Sequence, residues 1–117
     1  MRALLAIIVL CTPAFAAPVP KELRKKTYEG SWKIVFANGV VETCWFGKNG
    51  KSGVEEPLRK AGGQAEEGST GVIVIAFDDD RTERWTPDGK RYVVEHWFPS
   101  SQYPNSIANL GIAERIR

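Results

Sequence analysis

The chain has 117 residues, a formal net charge of +2 and a hydrophobic fraction of 43%. This length fits one small domain. A charge so close to zero does not provide the basic surface that is typical of proteins that bind nucleic acid or anionic membranes. We therefore expect a single domain with no nucleic-acid partner.

Residues 1–16 have the pattern of a secretory signal peptide. Arg2 supplies the positive charge, residues 3–10 form an apolar run, and Ala14 and Ala16 are the small residues that a signal peptidase requires. The apolar run is shorter than a transmembrane helix, so we favour cleavage near Ala16 over an N-terminal membrane anchor. The protein is then expected to be secreted or periplasmic, with its charge reduced from +2 to +1 by the loss of Arg2.

The remaining chain divides into a short lead segment and one domain. Residues 17–26 are basic and contain proline, which is typical of a solvated arm. Residues 27–117 form the predicted domain, with Cys44 as its only cysteine. An intramolecular disulfide is thus excluded. We expect Cys44 to be a half-buried strand residue, with an intermolecular disulfide as the alternative.

Alternating hydrophobicity predicts six β-strands. They cover residues 27–37, 40–46, 72–77, 81–86, 91–98 and 110–116. Turn-forming sequences separate several of them, including Asn38-Gly39 and Pro87-Asp88-Gly89. This order predicts an all-β fold, an antiparallel up-and-down meander that forms a small barrel or a half-barrel.

The register of the first hairpin can be predicted from its turn. Asn38-Gly39 favours a two-residue type I′ turn, which places Trp32 opposite Trp45. The predicted core face then consists of Trp32, Ile34, Phe36, Val41, Thr43 and Trp45, with Cys44 on the other face. Replacing either tryptophan by alanine should cost about 3–5 kcal/mol.

Residues 47–70 are predicted to form a glycine-rich insertion. The sequence from 54 to 61 favours one short helix, because acidic residues precede Pro57 and basic residues follow it. A long loop in a small domain is a candidate functional element. A tolerated surface insertion is the alternative.

The chain offers few residues for catalysis or for metal binding. It has one histidine, and the domain has one cysteine, so neither a metal site nor a Cys44–His96 catalytic pair is predicted. Three adjacent aspartates at 78–80 indicate a solvated turn rather than a calcium loop, in which ligands alternate. We therefore expect no enzyme activity and no cofactor.

Aromatic side chains are the main candidates for a binding site. The four tryptophans lie on four different predicted strands, where they either form the core or line a cavity for a small molecule. For the cavity we select residues of the later strands and of the loop at 99–106. These candidate ligand-binding residues are Trp85, His96, Trp97 and Tyr103.

Gly30-Ser31-Trp32 on the first strand resembles the calycin superfamily, which includes the lipocalins and avidins. In those proteins a Gly-x-Trp opens the barrel, and a basic side chain near the C-terminus covers the tryptophan. Here Arg115 or Arg117 lies at a suitable place. The resemblance implies an up-and-down barrel whose open end binds a small apolar molecule.

A protein-interaction or structural module is the alternative function. Such a module would use a sheet edge or the 47–70 segment to contact a protein partner.

Overall fold

The computed structural model describes residues 27–116, so the predicted signal peptide and lead segment lie outside the described residues. Eight antiparallel strands form a closed barrel. They are β1 (Gly30–Phe36), β2 (Val41–Phe46), β3 (Lys51–Glu56), β4 (Arg59–Glu67), β5 (Ile73–Phe77), β6 (Thr82–Asp88), β7 (Arg91–Trp97) and β8 (Asn109–Arg115). The only helical element in this range is a 3₁₀ turn at Lys48–Gly50.

Each strand pairs with the next one along the chain, and β1 closes the barrel by pairing with β8. The closing register places Trp32 opposite Arg115 and Phe36 opposite Gly111. The predicted all-β antiparallel meander is therefore confirmed, with eight strands instead of six. Within residues 27–116 no helix is long and apolar enough to cross a membrane.

The two strands that the sequence did not predict lie in the 47–70 segment. β3 and β4 occupy most of it, and the helix expected near 54–61 is wrong, because Glu56 pairs with Arg59 across a two-residue turn. Glycine suggested a loop here. Instead, Gly53 and Gly63 lie inside strands. A Cβ on Gly53 would lie 2.5 Å from the Trp45 ring, and a Cβ on Gly63 would lie 2.8 Å from the Phe77 ring.

The first hairpin differs from its prediction by one residue. Its loop contains Ala37, Asn38 and Gly39, because the Phe36 amide donates to the Val40 carbonyl at 2.9 Å. In this loop only Gly39 has a positive φ, at 88°, so a type I′ turn is not formed.

The longer loop reverses the two faces of β2. Trp32 now pairs with Cys44, and Trp45 pairs with Ser31. A shift of one residue moves every side chain of a strand to the opposite face. The inward residues of β2 are therefore Glu42, Cys44 and Phe46, rather than Val41, Thr43 and Trp45.

Cys44 is fully buried in the barrel interior and forms no disulfide with any described residue. Burial, followed by the nearby charges of Glu83 and Glu42, raises the pKa of its thiol. The prediction of a half-buried residue underestimated its burial. In this position the sulfur cannot reach a second molecule while the barrel is folded.

The barrel interior is filled by the protein's own apolar side chains. Trp85 lies at the centre, with Trp32 5.8 Å and Phe46 5.0 Å away between ring centroids, both edge-on. The other buried apolar residues include Ile34, Ile73, Ile75, Phe77 and Val94. Eight strands leave an interior that side chains can fill.

The observed register predicts different costs for the two tryptophans of the first hairpin. Trp32 is 2% exposed, so Trp32→Ala should reduce the free energy of unfolding by about 3–5 kcal/mol. Trp45 is 43% exposed, so Trp45→Ala should cost only about 1 kcal/mol. Urea unfolding measures both values, with exposed Lys33→Ala as a control. Equal losses for the two tryptophans would contradict this register.

Candidate functional site at the barrel mouth

One end of the barrel, which we call the base, is sealed by Tyr28, Trp32 and Arg115. The Trp32 indole donates to the Tyr28 carbonyl at 2.8 Å. The Arg115 guanidinium lies 4.4 Å from the Trp32 ring centroid and also donates to the carbonyls of Thr27 and Glu29. The contact of a guanidinium with the indole face is a cation–π interaction. The residues of the Gly-x-Trp stretch therefore close the barrel.

The opposite end, which we call the mouth, contains a buried cluster of ionisable groups. Glu42 on β2, Glu83 on β6 and His96 on β7 all point into the barrel, and their exposed fractions are 0%, 0% and 3%. One ligand-type atom from each residue lies within 4.8 Å of the other two. We call these three residues the carboxylate–imidazole cluster. Among residues 27–116 it is the one group that could hold a metal ion.

His96 and Glu83 are joined by a hydrogen bond. His96 Nδ1 lies 2.8 Å from Glu83 Oε2, and the Trp85 indole donates to Glu83 Oε1 at 2.9 Å. Arg81 Nη1, which can only donate, lies 3.5 Å from Nε2, so we assign the lone pair of the imidazole to Nε2. The proton is then on Nδ1, which donates to Glu83 Oε2.

Arg59 connects the cluster to its surroundings. Its Nη1 donates to Glu42 Oε2 at 3.2 Å and to Glu56 Oε2 at 2.9 Å, while its Nε donates to Asp79 at 2.6 Å. The guanidinium also lies 4.9 Å from the Phe77 ring centroid. Arg59 thus joins β2, β3, β4 and the β5–β6 turn through a side chain that is almost completely buried.

Glu42 is the least satisfied member of the cluster. Its Oε1 atom is buried and accepts no hydrogen bond from any described residue. Burial, then the charge of Glu83, then a hydrogen bond to Glu56 raise the pKa of Glu42 to about 11. Burial alone would raise the pKa of Glu56, but its hydrogen bonds with Glu42 and Arg59 lower it. A proton on Glu42 is therefore one way to reduce the charge repulsion between these neighbouring carboxyl groups.

A small cleft opens beside the cluster at the mouth. Its volume is about 70 Å³. We call it the mouth cleft, and its described lining consists of Phe36, Asn38, Val40, Glu56, Arg81, His96, Phe98 and Asn109. The space is enough for about two water molecules, at about 30 Å³ each. It is therefore a site for a very small molecule or for one end of a larger one.

The structure does not gather the four predicted ligand-binding residues into one site. Trp85 and His96 lie inside the barrel and both contact Glu83. Trp97 faces outward, where the Arg84 guanidinium lies 5.6 Å from its ring centroid. Tyr103 lies in the loop before β8, exposed and 6.0 Å edge-on from Phe98.

Sequence reasoning did not select the two glutamates of the cluster, although one signal was present. Glu83 is two residues from Trp85 on the same strand, so the two side chains share a face. Any register that buries Trp85 also buries Glu83. Glu42 gave no such signal, because the predicted type I′ turn placed it on the outer face.

Comparison with other proteins gives no assignment. The chain matches no protein family, and no curated protein or solved structure is detectably similar to it.

The raised pKa of Glu42 predicts how stability depends on pH. A carboxyl group with a higher pKa in the folded state contributes stability that is complete below its unfolded pKa, near 4.5, and is lost as pH rises towards the folded value. Chelator-treated protein should therefore lose stability between about pH 5 and about pH 9, by at most about 1.4 kcal/mol per pH unit from this group.

Glu42→Gln tests this dependence, because an amide imitates the protonated carboxyl group. The variant should be as stable as the wild type near pH 5 and more stable at pH 9, as measured by urea unfolding at each pH. Parallel stability curves for the two proteins would show that Glu42 is not the group that titrates.

Proposed function

We propose that this chain is an exported, non-enzymatic binding protein that takes a small uncharged ligand, or the apolar end of one, into the mouth cleft. The observation that carries this proposal is the difference between the two ends of the barrel. Trp32 and Arg115 close the base, and the depression of about 430 Å³ that lies against them is open to solvent. The mouth cleft is smaller, but it extends to the buried His96 and combines two phenylalanine rings with several polar groups. Small-molecule sites commonly combine an apolar surface with a few polar groups that orient the ligand.

The lining of the cleft favours an uncharged ligand. The carboxyl groups of Glu42, Glu56 and Glu83 lie in or behind it and disfavour an anion. The Arg81 guanidinium lies 5.0 Å from the Phe98 ring centroid and occupies the place where a cation would stack. An apolar group between Phe36 and Phe98 avoids both conflicts. The filled interior supports binding at the mouth rather than along the barrel axis.

A calycin-like barrel and export belong to the same proposal. The up-and-down order of eight strands and the Arg115–Trp32 contact support the likeness to calycins. The signal-peptide pattern of residues 1–16 supports export.

The absence of enzyme activity is supported by the chemistry at the mouth. The described lining of the cleft contains no serine, threonine or cysteine. The Cys44 thiol is buried with a raised pKa, the opposite of what a nucleophile needs.

Ligand binding can be tested by NMR with uniformly ¹⁵N-labelled protein. Small uncharged probes such as cyclohexanol and toluene should shift the amide signals of Phe36, His96, Phe98 and Asn109, while benzoate should not. Phe98→Ala removes one wall of the cleft and should weaken binding by about tenfold. Val74→Ala, which changes an exposed residue, is the matched control.

Two results would contradict the proposal. One is the absence of amide shifts with every probe. The other is a set of shifts that lies away from the mouth and is unaffected by Phe98→Ala.

The alternative function, a protein-interaction module, is supported by a row of apolar side chains on the outer wall. Val93 pairs with Ile112, which pairs with Val35, which in turn pairs with Val41. Beside this row runs a shallow groove of about 330 Å³ that includes Leu110. The closed barrel leaves no free strand edge among the eight described strands, so the row replaces the predicted sheet edge as the contact surface.

A second copy of this chain is the partner that the row fits best, because the row is uncharged and the near-zero net charge adds little repulsion. Sedimentation equilibrium should then show a dimer that Val35→Lys dissociates, whereas Lys33→Glu should not. A monomer at every concentration would exclude this alternative.

A further inference from the structure

We infer that the carboxylate–imidazole cluster is a binding site for one divalent transition-metal ion of the Zn²⁺, Co²⁺ or Mn²⁺ type, with Glu42, Glu83 and His96 as its ligands. The inference goes beyond the proposed ligand at the mouth. The two sites share His96, but Glu42 and Glu83 do not line the mouth cleft, so variants of these glutamates test the metal site separately from the cleft.

The two carboxylates are oriented as metal ligands are. In each of them one oxygen is held by a donor outside the cluster: Arg59 holds Glu42 Oε2, and Trp85 holds Glu83 Oε1. The other oxygens, Glu42 Oε1 and Glu83 Oε2, are left for the cluster. Outer partners of this kind fix the direction of metal-binding carboxylates.

An unpartnered atom within the cluster is the independent sign of a ligand. Glu42 is fully buried, yet its Oε1 has no hydrogen-bond donor among the described residues. A buried carboxylate oxygen without a partner costs several kcal/mol. The neighbouring carboxyl groups are acceptors themselves, so this oxygen needs either a proton or a cation.

The local charge favours a divalent cation. Four carboxyl groups meet here, those of Glu42, Glu56, Asp79 and Glu83. Within residues 27–116, two guanidinium groups contact them or His96, those of Arg59 and Arg81. Two negative charges are therefore left over. A proton on Glu42 removes one of them, whereas one divalent ion balances both.

The distances and the donor types indicate the kind of metal. Neighbouring donors of a tetrahedral ion with bonds of about 2.1 Å lie about 3.4 Å apart. His96 Nδ1 and Glu83 Oε2, now 2.8 Å apart, therefore need to separate by about half an ångström. The Glu42 ligand atom already lies within 4.8 Å of both. One imidazole with two carboxylates suits transition metals, whereas Ca²⁺ and Mg²⁺ prefer oxygen ligands alone.

Metal binding has a defined proton balance at His96. The imidazole lies 2.8 Å from Glu83 through Nδ1, so the metal takes the place of the Nδ1 proton. That proton moves to Nε2, so the 3.5 Å contact in which Arg81 Nη1 donates to Nε2 is lost. The histidine stays neutral while its tautomer changes. A proton on Glu42 is displaced by the ion and released to solvent.

The test uses tag-free protein that has been treated with EDTA and dialysed. We expect Zn²⁺ and Co²⁺ to bind with one ion per chain in calorimetry and to raise the melting temperature, while Ca²⁺ and Mg²⁺ do neither. The chain contains a single histidine, so long-range ¹H–¹⁵N spectra report His96 alone. They should show a change from the Nδ1–H to the Nε2–H tautomer when Zn²⁺ is added.

Variants separate this site from adventitious binding. Glu42→Gln keeps the shape of the side chain and should weaken Zn²⁺ binding at least tenfold. At a Zn²⁺ concentration that changes the His96 tautomer in the wild type, the variant should show no such change. Glu56→Gln also alters a carboxyl group held by Arg59, but outside the three ligands, and should change the affinity less than Glu42→Gln does. Val74→Ala, which changes an exposed residue that belongs to neither site, should leave Zn²⁺ binding unchanged.

Three outcomes would overturn the inference. They are no Zn²⁺ binding by the wild type, equal affinity in Glu42→Gln, and Zn²⁺ binding without any change in the His96 signals. The NMR spectrum of each metal-free variant confirms that it is folded, so loss of binding cannot be mistaken for loss of structure.

Discussion

The stability of the barrel mouth depends on how its excess of buried negative charge is neutralised. Glu42 and Glu83 are completely buried, in a small domain whose other interior residues are almost all apolar. Charges in such surroundings are strongly destabilising unless they are paired. Arg59 supplies part of the compensation from its place at the start of β4, and the Glu83–His96 hydrogen bond supplies another part. The negative charge that is still uncompensated requires a proton or a cation. For this reason, this end of the barrel is the candidate site.

The register of the first hairpin determines whether that site exists. With the two-residue turn, β2 would present Val41, Thr43 and Trp45 to the interior, and Glu42 would lie in solvent. The three-residue loop places Glu42 inside and leaves Trp45 on the surface above Gly53. A structure that buries a glutamate and half exposes a tryptophan breaks the usual order of hydrophobic burial. Such local departures from the general pattern are expected at functional sites.

The fold was more predictable than the site, for reasons that particular residues show. β1 alternates Trp32, Lys33 and Ile34, and β5 is a short apolar run that ends at the aspartate turn, so strand patterns in the sequence find both. β3 and β4 were missed because Gly53 and Gly63 leave room for neighbouring aromatic rings, a role that depends on residues distant in sequence. The helix near 54–61 was predicted from charges around Pro57 that in fact surround a hairpin turn.

The site could be predicted only in part, because its members come from separate strands. His96 was selected from the sequence, and Glu83 could have been found from its spacing to Trp85. Glu42 could not, since its orientation depends on one loop residue more than the Asn38-Gly39 pair indicates. The partnership of Arg59 with Glu42 depends in turn on β3 and β4 being strands. Because β3 and β4 were not predicted as strands, Arg59 was not recognised as the cation that contacts Glu42.

His96 connects the two proposals physically. It belongs to the carboxylate–imidazole cluster and also lines the mouth cleft, where Phe36 and Phe98 contact it edge-on at 5.6 Å and 5.5 Å. A metal ion at Nδ1 would place a proton on Nε2, where the metal-free protein has a lone pair facing Arg81. The polarity of the cleft wall thus depends on the state of the cluster. Because binding equilibria that share a residue are linked reciprocally, a ligand in the cleft would change the affinity for the ion by the same factor as the ion changes the affinity for that ligand.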